Sequence, residues 1–85
     1  MSTFPLEILA ADGAFFRGEC QSLTVPVSDG RMGILAHHSD LISAVVPGQV
    51  EFTLPDGARR TALVDAGLIK VEGGSVLLLV DSAER

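Results

Sequence analysis

The sequence predicts an all-β domain. Apolar residues recur with a period of two along most of the chain. Turn signals built on Gly, Pro and Asp fall at short, regular intervals. No stretch has the apolar spacing of an amphipathic helix.

Each element follows from that pattern. Phe4, Leu6, Ile8 and Ala10 alternate with Pro5, Glu7 and Leu9, which predicts a first strand. Ala11-Asp12-Gly13 is a turn. The next strand begins at Ala14 and puts Phe16, Gly18 and Cys20 on one face. Leu23, Val25 and Val27 then share a face of opposite parity. A β-bulge within Glu19 to Ser22 accounts for the phase change, and two shorter strands meeting at a kink account for it equally.

Ser28-Asp29-Gly30 is the next turn, followed by a short strand over Met32 to Leu35. Leu41 to Val46 is another strand, stopped by Pro47-Gly48. Val50, Phe52 and Leu54 alternate with Glu51 and Thr53. Pro55-Asp56-Gly57 then turns the chain into Arg59 to Val64 as a hairpin. Leu68 to Glu72 is a strand, Gly73-Gly74 a tight turn and Ser75 to Val80 the last strand. That last run is apolar on both parities, which predicts a central strand covered on both faces. About eight short strands with regular turns imply a sandwich or a barrel.

The 85 residues fit one domain, 1–85. A chain of this size buries little more than ~60% of its unfolded surface, so its core must be efficient or lean on a partner. The formal net charge is −5 and the six Lys and Arg are scattered, which excludes a phosphate-neutralising stripe. Tyr and Trp are absent, so only four Phe are available for base or sugar stacking. Neither nucleic acid nor carbohydrate is an expected partner. The single Cys20 excludes an internal disulfide and fits a reducing compartment. Met1 to Pro5 lacks the basic start and apolar run of a signal peptide. The longest apolar run, Val76 to Val80, falls far short of the ~20 residues of a membrane span. The expectation is a cytoplasmic protein without membrane insertion.

Catalytic and metal chemistry find little support. The stretch SDGRMGILAHHSDLISAVVPG, Ser28 to Gly48, holds both histidines, His37 and His38, with Asp29 and Asp40 nearby. A zinc site needs three or four ligands, and adjacent residues of an extended segment point to opposite faces. No C-x-x-C, H-E-x-x-H, G-x-S-x-G or phosphate-cradling glycine loop occurs. Cys20 shares the face of Phe16 and reads as a small core hydrophobe. Asp81 and Glu84 stand near the end, where solvation is the default. The residues favour a module without catalytic, cofactor or metal sites that works by presenting a surface.

A longer comparison is more specific. FFRGECQSLTVPVSDGRMGILAHHSDLISAVVPGQV resembles the N-terminal half of the epsilon subunit of rotary F-type ATP synthases, called delta in mitochondria. Phe16, Gly18 and Glu19 match that family's Phe-x-Gly-Glu strand, and Val25-Pro26 its Val-Pro strand. Asp29-Gly30 matches its Glu-Gly turn and Gly33-Ile34-Leu35 the strand beyond. His38 and Leu41 fall in its Pro-Gly-His-Ala-Pro-Leu motif, and Pro47-Gly48 closes it. DAGLIKVEGGSVLLLVDSAER resembles the family's closing segment. The similarity runs through essentially the whole chain in the right order.

The resemblance implies a β-sandwich of two packed antiparallel sheets without the family's C-terminal helical hairpin, and so without its inhibitory and ATP-sensing roles. It implies a non-catalytic subunit of the central stalk that couples proton-driven rotation to ATP synthesis. The implied partners are the gamma subunit and the polar loops of the c-ring. Asp29, Gly30 and Arg31 would face the ring, and His38, Leu41 and Ile42 would meet gamma. The implied place is peripheral, on the inner face of an energy-transducing membrane, held there through the ATP synthase complex. Two departures stand out. Ala36-His37-His38-Ser39-Asp40-Leu41 lacks both prolines and the glycine of the family motif, and Arg31 stands where the family is often acidic. The alternatives are a small metal-binding sandwich centred on His37, His38 and Asp40, or a stand-alone adaptor.

Overall fold

A computed structural model of the chain describes residues 2–85. Ten strands and no helix form among these residues. They are β1 (Phe4–Ala10), β2 (Gly13–Cys20), β3 (Ser22–Val27), β4 (Gly30–Leu35) and β5 (Leu41–Val45). β6 (Gly48–Thr53), β7 (Arg59–Val64), β8 (Gly67–Glu72), β9 (Ser75–Val80) and β10 (Ala83–Glu84) follow. Two five-stranded sheets pack as a sandwich, ordered β2-β1-β9-β8-β5 and β10-β7-β6-β3-β4. Adjacent strands run antiparallel except β1 and β9, which are parallel. Parallel neighbours need a long connection. Here the connection is the whole of the chain between Ala10 and Ser75.

Two expectations about the second quarter of the chain are resolved. The parity change near Gln21 is a change of sheet, since β2 lies in the first sheet and β3 in the second. The kinked pair of strands is therefore correct and a bulge within Glu19 to Ser22 is not. The β-bulge that does occur lies earlier. Ile8 pairs with Phe16 but Leu9 pairs with Ala14, which leaves Phe15 as the extra residue. The ten strands exceed the expected eight because of this split and because β10 pairs with β7.

The core is the alternation made physical. Phe4, Leu6 and Ile8 of β1, Ile69 and Val71 of β8, and Val76, Leu78 and Val80 of β9 point inward and are buried. They face Leu23 and Val25 of β3, Ile34 of β4, Val50 and Phe52 of β6, and Ala62 and Val64 of β7, also buried. Each large side chain so buried contributes ~1.5–3 kcal/mol relative to exposure. No polar side chain is buried among the described residues, so the core carries no desolvated hydrogen-bonding group. Phe16 of β2 meets Phe52 of β6 with ring centroids 4.7 Å apart, tying the sheets together at one margin. Gly73 and Gly74 take φ of 57° and 84°, as a tight type I′ hairpin requires.

β9 is central, as expected, but it is not covered on both faces. Leu79 is 37% exposed and Leu77 half-buried, because none of the described residues covers them on the outer side of the first sheet.

Candidate functional site

The outer face of the first sheet is the most distinctive surface. Strand register places Ala14, Leu9, Leu79, Leu68 and Ala44 side by side across all five strands. The next row reads Arg17, Glu7, Leu77, Lys70 and Ile42. Ile42 is 71% exposed and Leu68 40%. An apolar row with an isoleucine at its flank is an unusual surface to leave in water. The middle of the other sheet's outer face is polar: Gly33, Thr24, Glu51 and Thr61 share one row. Its exposed leucines, Leu35 and Leu63, stand apart on β4 and β7, with β3 and β6 between them.

The residues expected to meet gamma divide by strand parity. Ile42 pairs with Lys70 and points outward, whereas Leu41 pairs with Val71 and packs half-buried against the core. Adjacent residues of a strand face opposite ways, so one flat partner cannot take both side chains. His38 is half-buried in the loop before β5. Its Nδ1 donates to the Ser39 carbonyl at 2.7 Å, and its amide donates to the Leu35 carbonyl at 3.3 Å.

His37 explains the family glycine at its position. Its φ is 66°, the one left-handed conformation outside glycine among the described residues. L-residues adopt that conformation at a cost of about 1–2 kcal/mol, and glycine adopts it freely. His37→Gly is therefore expected to raise stability by up to about 1 kcal/mol, and His37→Val to lower it by about 1 kcal/mol or more. Urea denaturation midpoints at unchanged slope check both. The missing prolines are offset in another way. Asp40 Oδ1 accepts from the Gly73 amide at 3.1 Å and moors the loop to the β8–β9 turn.

Asp29, Gly30 and Arg31 form the exposed tip of the β3–β4 hairpin. Val27 pairs with Gly30 there, leaving Ser28 and Asp29 to make the turn. The Pro26 carbonyl just behind it accepts the Val46 amide at 3.1 Å, linking this hairpin to the end of β5. The hairpin tip and the His37–Asp40 loop lie at opposite ends of the sandwich, at the end and the start respectively of β3 and β5.

Cys20 is fully buried, and burial pushes its thiol up to about 11, with the adjacent Glu19 carboxylate adding to the effect. Such a thiol is a core hydrophobe at neutral pH. Among the described residues no three His, Cys, Asp or Glu side chains are placed to share a metal ion. Asp40 is committed to the Gly73 amide.

Sequence reasoning missed Leu9, Leu68 and Leu79. A signal was present, since all three are apolar at the outward parity of their strands. Apolar residues at both parities also mark a strand covered on both sides. Only the neighbour relation of β1, β9 and β8 shows that the three form one surface.

The family model described as the β-sandwich domain of the ATP synthase delta/epsilon chain matches residues 3–85. The ATP synthase epsilon chain of a Nitratiruptor species is 35% identical over 83 residues, covering 98% of this chain and 64% of the relative. That of Bordetella petrii is 36% identical over 85 residues, covering all of this chain and 60% of the relative. The chain thus spans about three-fifths of the length of these relatives. Among solved structures, a chain of the Euglena gracilis mitochondrial ATP synthase (OSCP/F1/c-ring, rotational state 1) superposes with a TM-score of 0.91 at 21% identity. That match covers 98% of this chain and 53% of the other. A chain of the Tetrahymena thermophila mitochondrial ATP synthase central stalk and c-ring gives 0.78 at 9% identity, covering 93% and 63%. At these identities the structural likeness is one of fold. With two five-stranded sheets in the sandwich and a family match running from Thr3 to Arg85, the chain belongs to the ATP synthase delta/epsilon family.

Proposed function

We propose that the protein is a non-catalytic central-stalk subunit of an F-type ATP synthase, binding gamma on one side and the polar loops of the c-ring at one end. It transmits the rotation of the ring toward the catalytic head and carries out no bond chemistry. Its place is peripheral, on the inner face of the energy-transducing membrane, held there through the complex. Among the described residues no helix is long and apolar enough to cross a membrane.

The observation that carries this reading is the contrast between the two outer faces. One bears the row through Leu9, Leu79 and Leu68 with Ile42 beside it, and the other is threonine and charge at its centre. A rotor subunit must be gripped on one side and clear its surroundings on the other. Apolar anchors inside a polar rim usually dominate interface energetics. Ile42 is the anchor of the gamma contact, with His38 at its rim. Leu41 supports it from inside by packing the edge strand onto the core. Asp29, Gly30 and Arg31 form the ring contact, supported by their place at an exposed hairpin tip.

The test mixes the full chain with gamma from the same source at micromolar concentration. Co-elution on size exclusion is expected, and separate elution would sink the gamma reading. For the ring, a cysteine at Arg31 is expected to cross-link to a cysteine in the c-ring polar loop within the assembled synthase. Thr61→Cys on the polar face is not. Cys20 is buried and leaves the introduced thiol as the reactive one.

A further inference from the structure

Beside the apolar row, the outer face of the first sheet holds a groove of about 470 Å³. Strand register explains the depression. Pro5 and Ser75 are short residues, each one position ahead of the Leu6–Val76 pair. Their partners on the flanking strands are the longer Glu19 and Glu72. Leu77, in the row next to the apolar one, forms the side of the groove nearest to it.

The charges around the groove do not balance. Arg17 Nε is bonded to Glu7 Oε2 at 2.6 Å, and Lys70 Nζ lies 3.3 Å from Glu72 Oε1. Glu19 accepts from the Thr3 hydroxyl at 3.0 Å, a neutral donor. No cation stands within ion-pair distance of it among the described residues. Three carboxylates therefore share two cations around a groove with apolar walls.

We propose that this groove receives a lysine or arginine side chain from the polypeptide that covers the apolar row. The aliphatic stem of such a side chain lies against Pro5 and Leu77 while its charged head reaches Glu19. An acidic side chain would meet Glu19 in a groove that already has more carboxylates than cations, and an apolar one would leave Glu19 without compensation once water is excluded. The partner's contact surface is thus an apolar strip with a basic residue on the flank facing β2. The inference rests on the docking reading above and adds the chemistry of the partner to it.

Calorimetric titration of the full chain with gamma from the same source tests it. Glu19→Gln is expected to weaken binding about three- to tenfold, and Glu19→Lys about thirtyfold or more. Glu51→Lys, on the polar face of the other sheet, is expected to stay within about twofold. The loss of affinity with added salt is expected to be shallower for Glu19→Gln than for the parent chain. If Glu19→Lys binds like the parent while Ile42→Asp is weakened, the groove proposal is wrong and the docking reading stands. If gamma does not bind at all, the docking reading fails and the groove is judged alone. Titration with N-acetyl-arginine amide is then expected to move the backbone amide resonances of Gly18 to Cys20 and of Glu72 to Val76, and Glu19→Gln to abolish the shifts. Unmoved resonances there would overturn the proposal.

Discussion

Gly67→Ala is expected to lower the thermal midpoint by more than about 10 °C and to leave much of the protein insoluble on expression. Gly67 opens β8 directly beside the end of β9. A Cβ built on it would sit 1.9 Å from the Leu79 carbonyl oxygen and 2.8 Å from the Val80 Cα. Both are backbone atoms, so no rotamer change relieves the clash, and the two strands must separate. β8 and β9 form the middle of the first sheet, and Asp81 donates its amide to the Ala66 carbonyl at 3.0 Å just beyond. Separation there loosens ladder bonds and the packing of Ile69 and Leu78 together. Overpacking costs about 1–3 kcal/mol even where side chains can give way, and a domain of this size has only about 4–13 kcal/mol of stability in all. Gly33→Ala is the control, because a Cβ there meets nothing within 4 Å. A melting curve followed by circular dichroism decides the matter. A Gly67→Ala midpoint within a few degrees of the parent would mean that β8 slides freely along β9.

The paired substitution Ile42→Asp with Leu68→Asp is expected to weaken gamma binding by about a hundredfold or more, equivalent to ~2.7 kcal/mol, while the fold survives. Both side chains are on the outer face, 71% and 40% exposed, so little of the folded core depends on them. Ile42 pairs across the strands with Lys70 and Leu68 with Ala44, so the new carboxylates do not face each other directly. One gains an ammonium group opposite. In a buried interface both charges are desolvated, and the one at position 68 has no cation opposite it, which is among the costliest changes a contact can suffer. Affinity by calorimetry and the melting midpoint should be measured on the same sample. Loss of both would show that this face is structural. Retention of both would move the gamma contact elsewhere on the molecule.

Local physics made most of the strands legible in the sequence. Asp-Gly at 12–13 and 29–30, Pro-Asp-Gly at 55–57 and Gly-Gly at 73–74 each end one strand and begin another. The strict alternation of Phe4, Leu6 and Ile8, or of Val50 and Phe52, assigned the buried face correctly. What stayed hidden is non-local. A parity change reads the same whether the strand bulges or leaves for the other sheet, and at Gln21 it leaves. The parallel pairing of β1 with β9 has no local signature. The site followed the same division. His38, Leu41 and Ile42 lay close together in sequence, but parity separated Leu41 from Ile42. Leu9, Leu68 and Leu79 lay far apart in sequence, and the sheet order joined them. His37 was a departure from the family motif until its φ showed why glycine suits that position.

The parallel pair of β1 and β9 also governs how the protein can be born. β1 emerges from the ribosome before the other nine strands of the sandwich, yet its central neighbour is the ninth of the ten. Until Ser75 to Val80 have cleared the exit tunnel, β1 has only β2 beside it, and its buried face of Phe4, Leu6 and Ile8 lacks much of its packing. A topology so dominated by distant contacts folds slowly for its size. Translation therefore leaves a window in which a sticky, unpaired strand edge stands open to chaperones or to neighbouring nascent chains. Pausing the ribosome before β9 would lengthen the window, and releasing it would close the first sheet.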